Sequence, residues 1–163
     1  MAKFKCASCG KCCISLGQYI KIERKLTDRD YYCRLGINNE IFLAHVQADY
    51  FDDFSDQSEH EANPDHCVFL RKDRNGKGFV CTIYPTRPSL CRDFKCYRML
   101  ILAHKRTEIG RLMGRNEIRT SDEVLNKLWQ DRVLNLPNND DTAWLHAVQR
   151  ILSDAGYMSE LCE

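Results

Sequence analysis

Four cysteines crowd into eight residues near the start of the chain, in CASCGKCC from Cys6 to Cys13. Cys6, Cys9 and Cys12 are each three apart, and Cys13 follows directly. A C-x-x-C loop curls so that both sulfurs face one centre, which suits tetrahedral Zn²⁺. The longer C-x-x-C-x-x-C run equally matches the first three ligands of a ferredoxin-type iron–sulfur cluster, whose fourth ligand comes from elsewhere. Adjacent side chains diverge by half a turn in a strand and by about 100° in a helix. Cys12 and Cys13 therefore cannot easily share one mononuclear ion, and Cys13 is expected to serve a second centre or a bridge. Downstream, Cys67, Cys81, Cys91 and Cys96 form an answering set, expected to converge with the first. Buried thiols or disulfides are the alternative uses of these residues.

Positioning eight thiols requires a scaffold, and the pattern changes along the chain. Tyr19 to Leu26 alternates with period 2, and the β-formers of Tyr31–Ile37 and Ile41–Val46 flank Asn38-Asn39-Glu40, which predicts a hairpin. Cys33 falls mid-strand, where it reads as a small buried hydrophobe. Asp49 to His66 is acidic and turn-rich, which predicts a solvated loop; His60, His66 and its carboxylates are the other ligands it could offer. Residues 67–73 and 77–84 flank Asn75-Gly76, the strongest hairpin signal in the chain, and this hairpin would carry Cys67 and Cys81. From Tyr97 the apolar residues fit a period near 3.6. Three helices are predicted: Tyr97 to Gly114, a second opened by a capping box at Thr120–Glu123, and a third around Trp144 to Leu152 that stops near Gly156. Trp129 and Trp144 occupy core positions of the last two helices. The expected fold is α+β: one domain over residues 1–163, with a cysteine-rich, metal-stapled part at 6–97 carrying short hairpins and a three-helix part at 98–163.

Composition narrows the chemistry. The 163 residues hold 24 Lys and Arg against 23 Asp and Glu, so no bulk attraction to nucleic acid is expected. Ten cysteines are far above ordinary usage. The N-terminus has no apolar core of a secretory signal and no run approaches a membrane span, which places the protein in the cytoplasm, where thiols stay reduced and clusters read as metal ligands. Five disulfides would follow in an oxidising compartment. No phosphate-binding loop, nucleophile elbow or H-E-x-x-H motif is present. His104 to Arg119 is locally basic, but interleaved glutamates make it a solvated helix face. Cys162 reads as a frayed terminal thiol.

The two cysteine sets together carry a resemblance. Cys6, Cys9, Gly10, Cys12 and Cys13, then Cys67, Cys81, Ile83, Tyr84, Arg87, Pro88, Cys91, Arg92, Phe94 and Cys96 resemble the CxxCxxCC putative zinc- or iron-chelating domain family, the YkgJ-like cysteine-cluster proteins. The resemblance covers roughly residues 6 to 97. It implies eight thiolate ligands, Cys6, Cys9, Cys12, Cys13, Cys67, Cys81, Cys91 and Cys96, for zinc or iron, and no settled cellular role. Four thiolates on Zn²⁺ leave a charge of −2, as do four on [4Fe–4S]²⁺. Lys3, Lys5, Lys11, Arg87, Arg92, Lys95 and Arg98 could answer that charge. Arg87 or Arg92 is expected to donate to thiolate sulfur, with Tyr84 and Phe94 as walls that keep the centre dry. Three functions follow: a metal-binding module in metal handling, an iron–sulfur redox protein, or a methyl-transfer enzyme, since flagellin lysine methylases share a similar cysteine pattern. Metal ions are the expected partners, with no membrane and no nucleic acid.

Overall fold

Alternation along the segment after the first cysteines resolves into a three-stranded antiparallel meander of β1 (Ile20–Lys25), β2 (Asp30–Leu35) and β3 (Glu40–His45). The computed structural model describes residues 4–137 and 139–162. Its contacts divide them into one unit of residues 6–94 and another of residues 95 onward with Phe4 and Lys5. The fold is α+β, with β-hairpins in the N-terminal half and helices in the C-terminal part, as expected from the pattern.

In the first unit the sequence CGKCC opens α1 (Lys11–Leu16), and the meander follows. Tyr31, Cys33 and Leu35 on β2 point inward, and Cys33 is fully buried as its strand position predicts. The Asn38-Asn39 turn closes β2 onto β3: Asn39 takes a φ of 56° and Asn38 Oδ1 accepts the Glu40 N–H at 3.0 Å. Tyr31, Phe54 and Phe69 meet at ring separations of 5.3–6.3 Å in the core beneath.

The acidic stretch departs from the expected loop. It holds two short helices, α2 (Phe51–Ser55) and α3 (Ser58–Ala62). Their first turns carry Asp52, Asp53, Glu59 and Glu61, where carboxylates favour the positive helix end. Only Phe54 is buried in them; with one anchor in twelve residues, no apolar periodicity announces a helix.

The second hairpin pairs β4 (Leu70–Lys72) with β5 (Phe79–Cys81) in antiparallel register. Its turn is longer than a two-residue Asn-Gly connection, because Asp73 N–H reaches across to Gly78 O at 3.0 Å. Cys81 lies on β5, but Cys67 does not lie on β4: it precedes the strand in a turn closed by Leu70 N–H on Cys67 O at 2.9 Å. A short helix, α4 (Ser89–Asp93), follows.

Arg71 on β4 went unnoticed in the sequence and ties this unit together. It is 3% exposed and donates to the carbonyls of Asp53, Phe54, Val68 and Leu70 at 2.7–3.0 Å, with its guanidinium 5.3 Å from the Phe54 ring. Deleting the fork removes a donor from four carbonyls at once, two of them in buried hydrogen bonds. Arg71→Leu is expected to cost the first unit about 3–5 kcal/mol, with Arg71→Lys in between, measured by urea unfolding. A loss below about 1 kcal/mol would show that water replaces the guanidinium.

In the second unit the expected helix over Tyr97–Gly114 is two strands instead. β6 (Tyr97–Leu102) and β7 (Glu108–Met113) pair antiparallel, and β8 (Glu117–Thr120) adds to β7. Tyr97, Met99 and Ile101 are buried alternately along YRMLIL, a period-2 signal hidden by the apolar residues between them. The turn joining the strands uses Lys105 and Arg106 at φ of 66° and 59°. Without Gly or Asn there, the sequence gives no turn signal. The basic stretch His104–Arg119 is accordingly a turn and two strands, not a helix face.

The later helices stand where expected. α5 (Glu123–Leu128) runs on into a π-helical turn, Trp129–Val133. Its cap is Asp122, whose carboxylate accepts the Leu125 N–H at 2.8 Å, rather than the Thr or Ser before it. α6 (Asp141–Asp154) starts after the Pro137 break and ends before Gly156, which adopts a φ of 85°. Trp129 and Trp144 meet edge-on at 6.4 Å in the core of this unit. The chain then returns as β9 (Met158–Leu161), paired to β6. Cys162 is therefore not frayed: its N–H donates to Arg98 O at 2.9 Å.

Candidate metal centre

The cysteine loop is docked by its backbone. Phe79 N–H donates to Ser8 O at 3.0 Å, and the Cys67 N–H donates to Cys13 O at 2.8 Å. Two glycines permit this approach. A Cβ on Gly10 would sit 2.5 Å from the Phe79 ring, and the residue takes a φ of 74°. A Cβ on Gly17 would stand 1.9 Å from the Cys67 nitrogen. The first cysteine set is thus laid along β5 and the turn before β4, although more than fifty residues separate them in sequence.

Four elements then present thiols to one neighbourhood: α1 gives Cys13, the turn before β4 gives Cys67, β5 gives Cys81 and α4 gives Cys91. Burial pushes the Cys13 thiol far above its ordinary range, and the charges of Cys67, Cys81, Cys91 and Cys12 push it further. Burial raises Cys67 to about 12 and Cys81 to about 11, with Cys91 adding to both. Cys91 is raised as well, first by burial. Charge on Cys6 reaches Cys81 and Cys91. Cys6 itself is exposed, while Cys9 and Cys12 are half-buried in the same loop and helix. Cys13, expected at a second centre or a bridge, is thus the thiol whose charge meets most of the others. Cys96 and Cys162 both belong to the second unit, whereas the other thiols of the two sets lie in the first. Cys33 is fully buried on β2.

The predicted outer residues divide. Arg87 stacks 3.8 Å from the Tyr84 ring, and donates to Tyr84 O at 2.5 Å and Cys91 O at 3.3 Å. Its donors thus go to carbonyls rather than sulfur, while its positive charge acts on Cys81 and Cys91. Arg92 is exposed and acts on Glu40. Phe94, expected as a wall, is 45% exposed. Glu40 was missed by sequence reasoning, which saw only a turn residue. Its carboxylate accepts the Ser89 N–H at 2.9 Å and the Ser89 hydroxyl, fixing the start of the helix that carries Cys91. His60 has a buried Nδ1 without a hydrogen-bond partner among the described residues, and its pKa is lowered first by burial and then by Arg71.

Among the described residues no three His, Cys, Asp or Glu side chains stand at metal-binding distance. The thiols are neighbours rather than a closed ligand shell. Their chemistry nonetheless fits a soft or borderline cation: burial and mutual repulsion hold them protonated, and a divalent ion removes both penalties at once. A family model described as CxxCxxCC, putative zinc- or iron-chelating domain, matches residues 5–117, and all the thiols of this neighbourhood fall inside the match.

The chain belongs to the CxxCxxCC family. It is a cysteine-rich member of a zinc- or iron-chelating family, and metal ions are its partners on that ground. Searches among curated proteins and among solved structures found no match. The family match ends before α5, so the two tryptophan-bearing helices and β9 lie outside it. Among the described residues no helix is long and apolar enough to cross a membrane.

Proposed function

We propose that the protein is a cytoplasmic metal-handling module that holds a divalent ion of the zinc class on Cys13, Cys67, Cys81 and Cys91. The observation that supports this reading is that Cys13, Cys81 and Cys91, from three separate elements, pack against the one buried cluster that holds Cys67, with the Cys67 N–H on Cys13 O at 2.8 Å. Four converging thiolates are the donor set of a closed tetrahedral zinc site. Cys6, Cys9 and Cys12 are further thiolates for the same region, and Cys96 is not assigned to it. Arg87 offsets part of the −2 charge of such a centre, and Tyr84 holds Arg87 there.

The test is metal content. Protein prepared under reducing conditions is expected to be colourless, with one equivalent of zinc, and to show thiolate-to-metal charge-transfer absorption when Co²⁺ replaces it. Cys91→Ser should lower the stoichiometry, whereas Cys33→Ala, deep in the meander, should not. Brown protein carrying acid-labile sulfide would instead establish the iron–sulfur reading suggested by the Cys6–Cys9–Cys12 spacing.

A further inference from the structure

α3 is attached to the first unit by polar groups, because none of its five residues is buried. One tie is the Lys72 N–H of β4, which donates to the Glu59 carboxylate at 3.1 Å. The next residue, His60, is half-buried. Its Nδ1 is fully buried, and no hydrogen-bond partner meets that atom among the described residues. A neutral imidazole leaves one such atom unpaired at modest cost, whereas an imidazolium carries N–H donors on both nitrogens and a full charge. The charges acting on the ring decide which form fits. Arg71 on β4 and His66 beyond the helix oppose a proton there, and the exposed Glu61 of α3 itself favours one. Arg71 is fixed in its fork of carbonyls and cannot turn away, although Glu59, Asp56 and Asp53 act on its charge. The docked helix therefore accepts a neutral ring and disfavours a charged one.

We propose that α3 is an acid-released latch on the β4–β5 hairpin, with His60 as its trigger. A proton on His60 adds a second cation near Arg71 and leaves a buried N–H without an acceptor. The helix then leaves β4, and Glu59 lets go of the Lys72 N–H. Burial first, then Arg71 and His66, hold the His60 pKa below its ordinary value of about 6.5. A lowered histidine favours the docked helix fully above that ordinary value, and the advantage is lost as pH falls below it. Release reaches further along the chain. The Asn63 N–H on His60 O and the His66 N–H on Asn63 O, both at 3.0 Å, tie the approach to Cys67 to the same helix.

The experiment is amide hydrogen exchange on the full chain at about pH 7.5 and about pH 5, on either side of the histidine range, with an NMR titration of the His60 ring. Protection is taken relative to the free-peptide rate at each pH. The Lys72 amide is expected to lose protection at least fivefold at the lower pH. The Thr82 amide, bonded to Phe69 O at 3.0 Å in the core, should hold its own within twofold. The ring should titrate below about 6.5, in step with the loss at Lys72. His60→Gln, neutral at both pH values, should keep Lys72 equally protected at each to within twofold. Protection of Lys72 that does not fall in the natural protein overturns the latch. An equal fall in His60→Gln also overturns it, because a carboxylate is then the trigger. So does a parallel loss at Thr82, which is unfolding of the whole unit. If His60→Gln fails to hold α3 even at the higher pH, the ring titration decides: a midpoint at or above the ordinary value overturns the proposal.

Discussion

With the ion on Cys13, Cys67, Cys81 and Cys91 as proposed, metal affinity should rise by up to about four orders of magnitude per pH unit between roughly pH 7 and 9, because each protonated thiol must release a proton on binding. The steepness follows from how far the thiols are raised. Cys67 at about 12 and Cys81 at about 11 remain protonated throughout that window, and burial raises Cys13 and Cys91 as well. Stability of the metal-stripped protein should run in the opposite direction. A thiol whose pKa is raised in the folded state favours folding fully below the unfolded value near 9, and that contribution is lost as pH climbs toward the folded value. Each thiol then withdraws about 1.4 kcal/mol per pH unit above 9. Cys33, raised to about 12 by burial on β2, adds to this alkaline loss without binding metal, so Cys33→Ala should soften the stability curve and leave the metal curve alone. Competition titrations with a chromophoric chelator measure the first slope, and urea unfolding of stripped protein between pH 8 and 11 measures the second. An affinity slope of one proton or fewer would mean that the ion is not held by these four thiols.

The candidate thiols were legible because cysteine spacing is a chemical signal that survives without a fold. The meander was legible too: Tyr31, Cys33 and Leu35 alternate with polar neighbours, and Asn38-Asn39 marks the turn. Trp129 and Trp144 showed as core because each sits on an amphipathic helix. What stayed hidden depends on tertiary context. In YRMLIL both faces are apolar enough to fit either period, and a turn made by Lys105 and Arg106 lacks the residues that usually announce one. Arg71 looks like any strand-end cation until the carbonyls of α2 and of its own hairpin close around it. Glu40 reads as a turn residue, because its partner Ser89 lies forty-nine positions away. Where Cys13 lies depends on tertiary context in the same way. The spacing sets Cys12 and Cys13 side by side, and the docking of α1, through the Cys67 N–H on Cys13 O at 2.8 Å, lays Cys13 beside the second set.

That docking yields the second large effect, at Gly17. Its φ of −60° is ordinary helical backbone, so alanine there should be mildly favourable on local grounds, since glycine is the poorer helix former. The surroundings reverse the sign. A Cβ would lie 1.9 Å from the Cys67 nitrogen, 2.4 Å from its Cα and 2.5 Å from the His66 carbonyl carbon. All three are backbone atoms, which cannot swing aside as a side-chain tip can. Relief requires α1 to move off the turn before β4, and that movement breaks the Cys13–Cys67 backbone hydrogen bond and separates two of the four thiols proposed to hold the ion. Gly17→Ala is therefore expected to cost the first unit about 3 kcal/mol, from overpacking plus one buried hydrogen bond, and to weaken zinc binding at least a hundredfold. Gly36→Ala is the control: its Cβ would meet nothing nearer than Tyr19 O at 3.5 Å, and both stability and affinity should stay close to those of the natural protein. The two measurements are urea unfolding of the stripped proteins and zinc competition on the same preparations. If Gly17→Ala is destabilised yet binds zinc with unchanged affinity, Cys13 and Cys67 do not share an ion, and the centre must be assigned to the remaining thiols.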